Sequence, residues 1–184
     1  MQSNMNVGQH VGAALVKGNS EQVSEFKPRG FFTIEHWRDG KLLQTQKVPN
    51  GVTNVGKNYI LGAGFNAVTP INPFYIGIID DSGGPTLAAG DTMASHAGWT
   101  EFTTYSEGTR VDWGEDAAAS QAISNTTPAT FNITGSATLH GVFLNSDSAK
   151  SGTAGTLWAT AAFASPIPVV NTDQLKITYT VTAT

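Results

Sequence analysis

Phe31-Phe32-Thr33-Ile34-Glu35-His36-Trp37-Arg38, then Asp39-Gly40, then Lys41-Leu42-Leu43-Gln44-Thr45-Gln46-Lys47-Val48 reads as two β-rich alternating runs joined by a tight turn. Asp-Gly is the pair that tolerates the positive φ angles of a type I′ turn, whose twist matches that of the strands it joins. A β-hairpin is therefore expected over these residues, closed by the turn signal Pro49-Asn50-Gly51. Its pattern sets the expectation for the rest of the chain.

Downstream, Thr53 is placed to cap a helix in which Val55, Tyr59 and Ile60 recur at helical spacing, with Gly62 and Gly64 expected to stop it. Phe74 to Ile79 is an apolar run of strand length, ended by Asp80-Asp81-Ser82-Gly83-Gly84-Pro85. Further strands are expected at Thr100 to Tyr105, Arg110 to Trp113, Phe131 to Thr134, Thr138 to Leu144, Thr156 to Phe163 and Leu175 to Val181. In the last of these Leu175, Ile177, Tyr179 and Val181 alternate with Lys and Thr, which predicts one buried and one wet face. Eight or nine short strands and one short helix imply an all-β fold, an antiparallel β-sandwich of jelly-roll-like type. No internal repeat of solenoid or propeller length is present.

Residues 1–30 differ in kind. They are rich in Gln, Asn, Ser and Gly, with a weakly apolar stretch only from Val11 to Val16. Such a segment buries too little surface to offset its own ordering entropy. The expected organisation is an extended N-terminal arm over 1–30 and a β-sandwich domain over 31–184, with Lys17, Lys27 and Arg29 making the arm basic.

The 184 residues suit one domain. Charged residues make up only 13% of the chain, against about 25% in average soluble domains, and 23 Thr, 13 Ser and 12 Asn supply uncharged polarity instead. So sparsely charged a surface is expected to be covered by other subunits. The charge is also uneven: seven Lys and Arg stand against four Asp and Glu through Lys57, and three against ten thereafter.

Chemistry is hard to find in this chain. The absence of Cys removes thiolate nucleophiles and Cys-ligated zinc. His10, His36, His96 and His140 each stand alone, without metal-ligand spacing. Asp80-Asp81 lacks the ligand alternation of a calcium loop and reads as a turn; Glu115-Asp116 reads as a solvated loop. There is no nucleophile elbow and no P-loop, and Gly62-Ala63-Gly64 ends a helix rather than opening one. No catalytic residue, metal site or cofactor is expected. The basic residues are too dispersed, and the chain too acidic, to drive nucleic-acid binding. No segment has the length of a membrane span or the pattern of a signal peptide, so a soluble protein that is not addressed for export, made in the cytoplasm and without membrane attachment, is expected.

Several stretches carry a resemblance. Phe-Thr-Ile-Glu-His-Trp-Arg-Asp-Gly-Lys (32 to 41), Asn-Gly-Val-Thr-Asn-x-Gly-Lys-Asn-Tyr (50 to 59), Ala-Gly-Asp-Thr-Met-Ala-Ser-His-Ala-Gly-Trp-Thr-Glu (89 to 101) and Ile-Thr-Tyr-Thr-Val (177 to 181) resemble small virion proteins encoded beside the capsid genes of tailed bacteriophages. The chain looks like a capsid decoration, or cement, protein. That resemblance implies an oligomeric β-sandwich head over capsomer junctions on the capsid exterior, with the major capsid protein and copies of itself, as a homotrimer, for partners. Physics supplies the expected capsid contacts, in the arm and first hairpin: Lys17, Lys27, Arg29, Arg38 and Lys41. The alternative is a tail or fibre component in which Trp37, Trp99, Trp113 and Trp158 stack on host glycan.

Overall fold

The computed structural model describes residues 27–183. Eleven strands and one helix form a two-sheet antiparallel β-sandwich. The first sheet contains β1 (Pro28–Arg38), β2 (Lys41–Pro49), β7 (Ala122–Ser124), β8 (Ala129–Asn132) and β11 (Gln174–Ala183). Its order is β2-β1-β11-β7, with β8 also pairing β11. The second contains β3 (Gly51–Val52), β4 (Tyr75–Asp80), β5 (Glu101–Phe102), β6 (Val111–Asp112), β9 (Ala137–Asn145) and β10 (Leu157–Val169), ordered β3-β10-β9-β4-β5 with β6 on β4.

The opening hairpin forms as its sequence dictates. Asp39 and Gly40 adopt φ of 49° and 72°, the positive pair that a type I′ turn requires. Phe32, Ile34 and His36 on β1 point inward and alternate with outward Phe31, Thr33, Glu35 and Trp37. β11 lies antiparallel on the other side of β1, so the first and last described strands close the sheet together.

Between the sheets Phe32, Ile34, Ile76, Ile78, Phe131, Leu139, Val142, Leu175, Ile177 and Tyr179 are wholly buried. Phe32 stacks on Tyr179 with ring centroids 4.0 Å apart. Asn125 is buried among them and fully satisfied. Its Oδ1 accepts from Trp113 Nε1 (3.0 Å) and the Tyr179 amide (2.8 Å), and its Nδ2 donates to the Thr127 and Ile177 carbonyls.

A second apolar cluster, Ile79, Met93, Trp99, Phe143 and Leu157 with Val55 and Leu87 against it, covers the opposite face of the second sheet. It explains why β4 and β9 are buried on both faces along most of their length. The segment 86–99 folds over that sheet, pinned where Trp99 Nε1 and the Ala88 amide both donate to Asp91 Oδ2 (2.9 and 3.0 Å). Consequently the second sheet is covered on both sides of β4 and β9, and among the described residues nothing covers the outer face of the first.

The helix α1 (Asn54–Phe65) starts as expected: the Thr53 hydroxyl accepts from the Gly56 amide (3.0 Å) and donates to the Leu157 carbonyl. It continues through Gly62 and Gly64, however, because neither glycine needs a positive φ and the Asn66 and Val68 amides close the last turn on the Gly62 carbonyl.

Other boundaries differ from those expected. β1 begins at Pro28 rather than Phe31, since Pro28, Arg29 and Gly30 pair with Ala183, Thr182 and Val181; the remainder of the expected arm, residues 1–26 with Lys17, lies outside the described residues. β10 runs on to Val169, its register broken between Ala162 and Ile167. There Gln46 of β2 acts as a substitute strand, accepting from the Ala164 and Ser165 amides and donating to the Ser165 carbonyl. At Thr100 to Tyr105 and Arg110 to Trp113 only two residues each are strand, and the expected Phe131 to Thr134 shifts to Ala129–Asn132.

Candidate docking surface

Strand register defines the open face row by row. Across it run Pro49, Phe31, Thr180 and Ser124; then Lys47, Thr33 and Thr178; then Thr45, Glu35, Lys176 and Thr130; then Leu42, Trp37, Gln174 and Asn132. Hydroxyl and amide groups dominate, and several pair across strands: Ser124 Oγ with Thr180 Oγ1 at 2.8 Å, and Gln174 Nε2 donating to Asn132 Oδ1 at 2.8 Å. Within these rows the one carboxylate is Glu35, which accepts from Trp37 Nε1 at 2.9 Å, and at the edge beyond them Glu107 Oε1 accepts from Asn132 Nδ2 at 2.6 Å.

Its two lysines lie over aromatic rings. Lys47 Nζ sits 3.6 Å from the Phe31 ring centroid and Lys176 Nζ 4.5 Å from that of Trp37. Both cations thus hold their alkyl stems along apolar surface, flattening the face. A flat sheet of neutral hydroxyls with little fixed charge suits broad contact, because few charges must be desolvated when it is covered.

The basic residues expected to touch a capsid do not converge. Lys27 and Arg29 are exposed at one end of β1, while Arg38 and exposed Lys41 lie at the other, about 30 Å away at strand rise. Arg38 is committed within the fold. Its Nε and Nη2 donate to Asp173 Oδ1 and Oδ2 at 2.7 and 2.8 Å, and His36 Nε2 donates to the same Oδ2 at 2.8 Å. The Val170 amide adds a fourth bond at 2.9 Å. Burial pushes the Asp173 carboxyl up, but the bonds from Arg38, Val170 and His36 outweigh it and hold it well below the usual carboxylate range.

The tryptophans also separate. Trp99, Trp113 and Trp158 are 5%, 5% and 6% exposed, and each indole N–H has an internal acceptor, that of Trp158 being the Tyr179 hydroxyl at 2.9 Å. Rings so enclosed offer no face to a sugar, which leaves Trp37 alone among the four for glycan stacking.

Elsewhere polar side chains serve the scaffold. Arg110 is wholly buried; its guanidinium donates to Glu101 Oε1 and Oε2 (2.9 and 2.8 Å) and to the Asp147 and Gly152 carbonyls (2.8 and 2.9 Å). It ties β5 to the 147–152 loop. Asp80 Oδ1 accepts from the Ser82 amide, the turn expected there, and Asp81 Oδ1 lies 2.7 Å from His140 Nδ1. Among the described residues no group of three or more His, Asp or Glu is arranged to hold a metal, and no helix is long and apolar enough to cross a membrane.

Lys47, Lys176 and the threonine rows were not singled out from sequence. Alternation in β1, β2 and β11 names them as outward, but it does not tell which sheet keeps an uncovered face; that follows only from the position of segment 86–99.

The fold and surface define an all-β sandwich with one open, hydroxyl-rich sheet face. No family model matches the chain, and no curated protein does.

Proposed function

We propose that the protein is a virion structural protein that binds the outer surface of a tailed-phage capsid and stabilises contacts between capsomers. The observation that carries this reading is the open face of the first sheet: four strand-crossing rows with Glu35 as their only carboxylate and two lysines folded over rings. A shell-coating protein needs a large contact area at low desolvation cost, and neutral hydroxyl and amide groups provide it. Its partners are the major capsid protein and its own copies, and its role is mechanical rather than catalytic.

Copy number per virion, by quantitative mass spectrometry, tests the reading. Hundreds of copies are expected; a handful would place the protein in the tail. Thr178→Glu tests the face itself. It adds a charge that docking must desolvate at the centre of the sheet, directly beside Thr33, and should lower capsid occupancy at least about tenfold while the isolated protein stays folded.

A further inference from the structure

The end of the sandwich that carries α1 presents three surfaces side by side. On one flank of the helix, a groove of about 380 Å³ runs along the start of β1, floored by Val52, Ile60 and Leu61 and edged by Lys27, Arg29 and Lys57; among the described residues its lining contains no carboxylate. On the outward side, Leu61 is 53% exposed and Phe65 88% exposed, with Val68 at 43% just beyond the helix. An almost wholly exposed Phe beside two other apolar side chains marks a surface that gains by being covered.

On the other flank, Tyr59 packs edge-on against Phe74 (5.9 Å), whose carbonyl accepts from the Trp113 amide. This brings the end of β6, with Asp112, and the loop after it, with Glu115 and Asp116, beside the helix. Each carboxylate accepts a local hydrogen bond, from the Gly114 amide, Asn72 Nδ2 and the Thr126 amide respectively. Among the described residues none of the three forms an ion pair, and neither does Arg29 or Lys57.

The two charge sets are too far apart to meet in one molecule. Arg29 pairs with Thr182 of β11, Thr182 with Ala122 of β7, and the Asp116 amide with the Ser124 carbonyl beyond β7. Three such spacings of about 4.8 Å put the backbone of the acidic loop about 14 Å from β1.

We infer that this end binds a second copy of the chain about a two-fold axis. Basic groove, apolar helix face and acidic loop follow one another across the end, so turning a copy over onto it sets groove against loop twice and brings the two Phe65 rings together at the centre. Such an arrangement is isologous, with the same patch used by both partners. It also has the anatomy of a stable interface, an apolar centre within a charged rim. The contact does not rest on the capsid reading and is a property of the isolated protein.

Sedimentation velocity of the full chain, from about 1 to 200 µM, tests it. A monomer–dimer equilibrium that weakens with salt is expected. Phe65→Asp, at a position too exposed to affect folding, should weaken it at least about tenfold. Arg29→Glu with Lys57→Glu should dissociate the dimer, as should Asp112→Lys with Asp116→Lys. The two charge-reversed proteins mixed together should associate again, because the groove of each then opposes the loop of the other with opposite sign. A chain monomeric throughout that range overturns the inference. So does a dimer indifferent to Phe65→Asp and to both reversals, or a mixture no tighter than its components.

Discussion

The Arg38 guanidinium grips the Asp173 carboxylate end to end, Nε on Oδ1 at 2.7 Å and Nη2 on Oδ2 at 2.8 Å, and so binds the hairpin to the turn that leads into β11. Asp173 is wholly buried and Arg38 is 38% exposed. Removing the acid therefore costs more than removing the base. Asp173→Asn leaves His36 and Arg38 facing an amide in the same space and should destabilise the fold by about 3 kcal/mol, read by urea denaturation. Arg38→Ala should cost less, since water reaches the vacated site.

The same carboxylate should give the protein an acid limit. Its pKa is lowered by folding, so the unfolded chain takes up the proton first, near the ordinary value of 3.8. The stabilisation is complete above about pH 5 and is lost as pH falls below that, at up to about 1.4 kcal/mol per pH unit for this one group. Urea midpoints measured between about pH 5 and 3 should fall more steeply for the wild type than for Asp173→Asn. Equal slopes would assign the acid sensitivity to other groups.

Arg110 and Glu101 should behave as one unit. Arg110→Met leaves a nearly buried carboxylate without its cation, and Glu101→Gln leaves a wholly buried guanidinium with two carbonyls and only the longer 3.9 Å approach of Asp147 Oδ1. Each should cost about 3–5 kcal/mol. The double substitution should cost less than the two singles together, with a coupling of about 1–3 kcal/mol in a thermodynamic cycle.

Gly77 lies directly opposite Phe143 in the β4–β9 ladder, and the Phe143 ring covers the place a Cβ would take. Gly77→Ala should destabilise by about 1–3 kcal/mol through overpacking. Adding Phe143→Leu should recover part of that loss if the ring is the obstacle; no recovery would place the strain in the backbone.

How far the sequence carries differs by element. The hairpin, the Thr53 cap and the alternation of β11 follow from short-range rules, and the β-sandwich follows from them. Strands β3 and β7, of two or three residues, carry too little periodicity to be read, β5 and β6 are shorter than the expected runs that contain them, and β10 extends six residues past the expected Thr156 to Phe163. Gln46 resolves that point, but its link to Ser165 spans 119 positions. The docking surface was legible only in composition. Low charge and abundant Thr implied a covered surface, whereas the division at Lys57 does not map onto two faces: Arg38 turns to Asp173, and Lys47 and Lys176 share one sheet face from either side of the divide. Of the tryptophans only Trp37, four residues before the turn's closing Lys41, stayed at the surface.

The last prediction concerns where the chain can be shortened. Pro28, Arg29 and Gly30 hold register with β11, and the Asn50 amide donates to the Gly30 carbonyl at 3.0 Å, so these residues belong to the sheet. Removing residues 1–26 preserves all of these pairs, whereas removing 1–30 cuts three from the edge of the groove beside α1. The longer deletion should therefore melt below the shorter one, by the loss of three strand pairs from β1. Capsid occupancy discriminates further. If residues 1–26 grip the shell, their deletion abolishes coating while the sandwich stays folded. If the open sheet face alone carries the contact, coating survives that deletion and fails with Thr178→Glu.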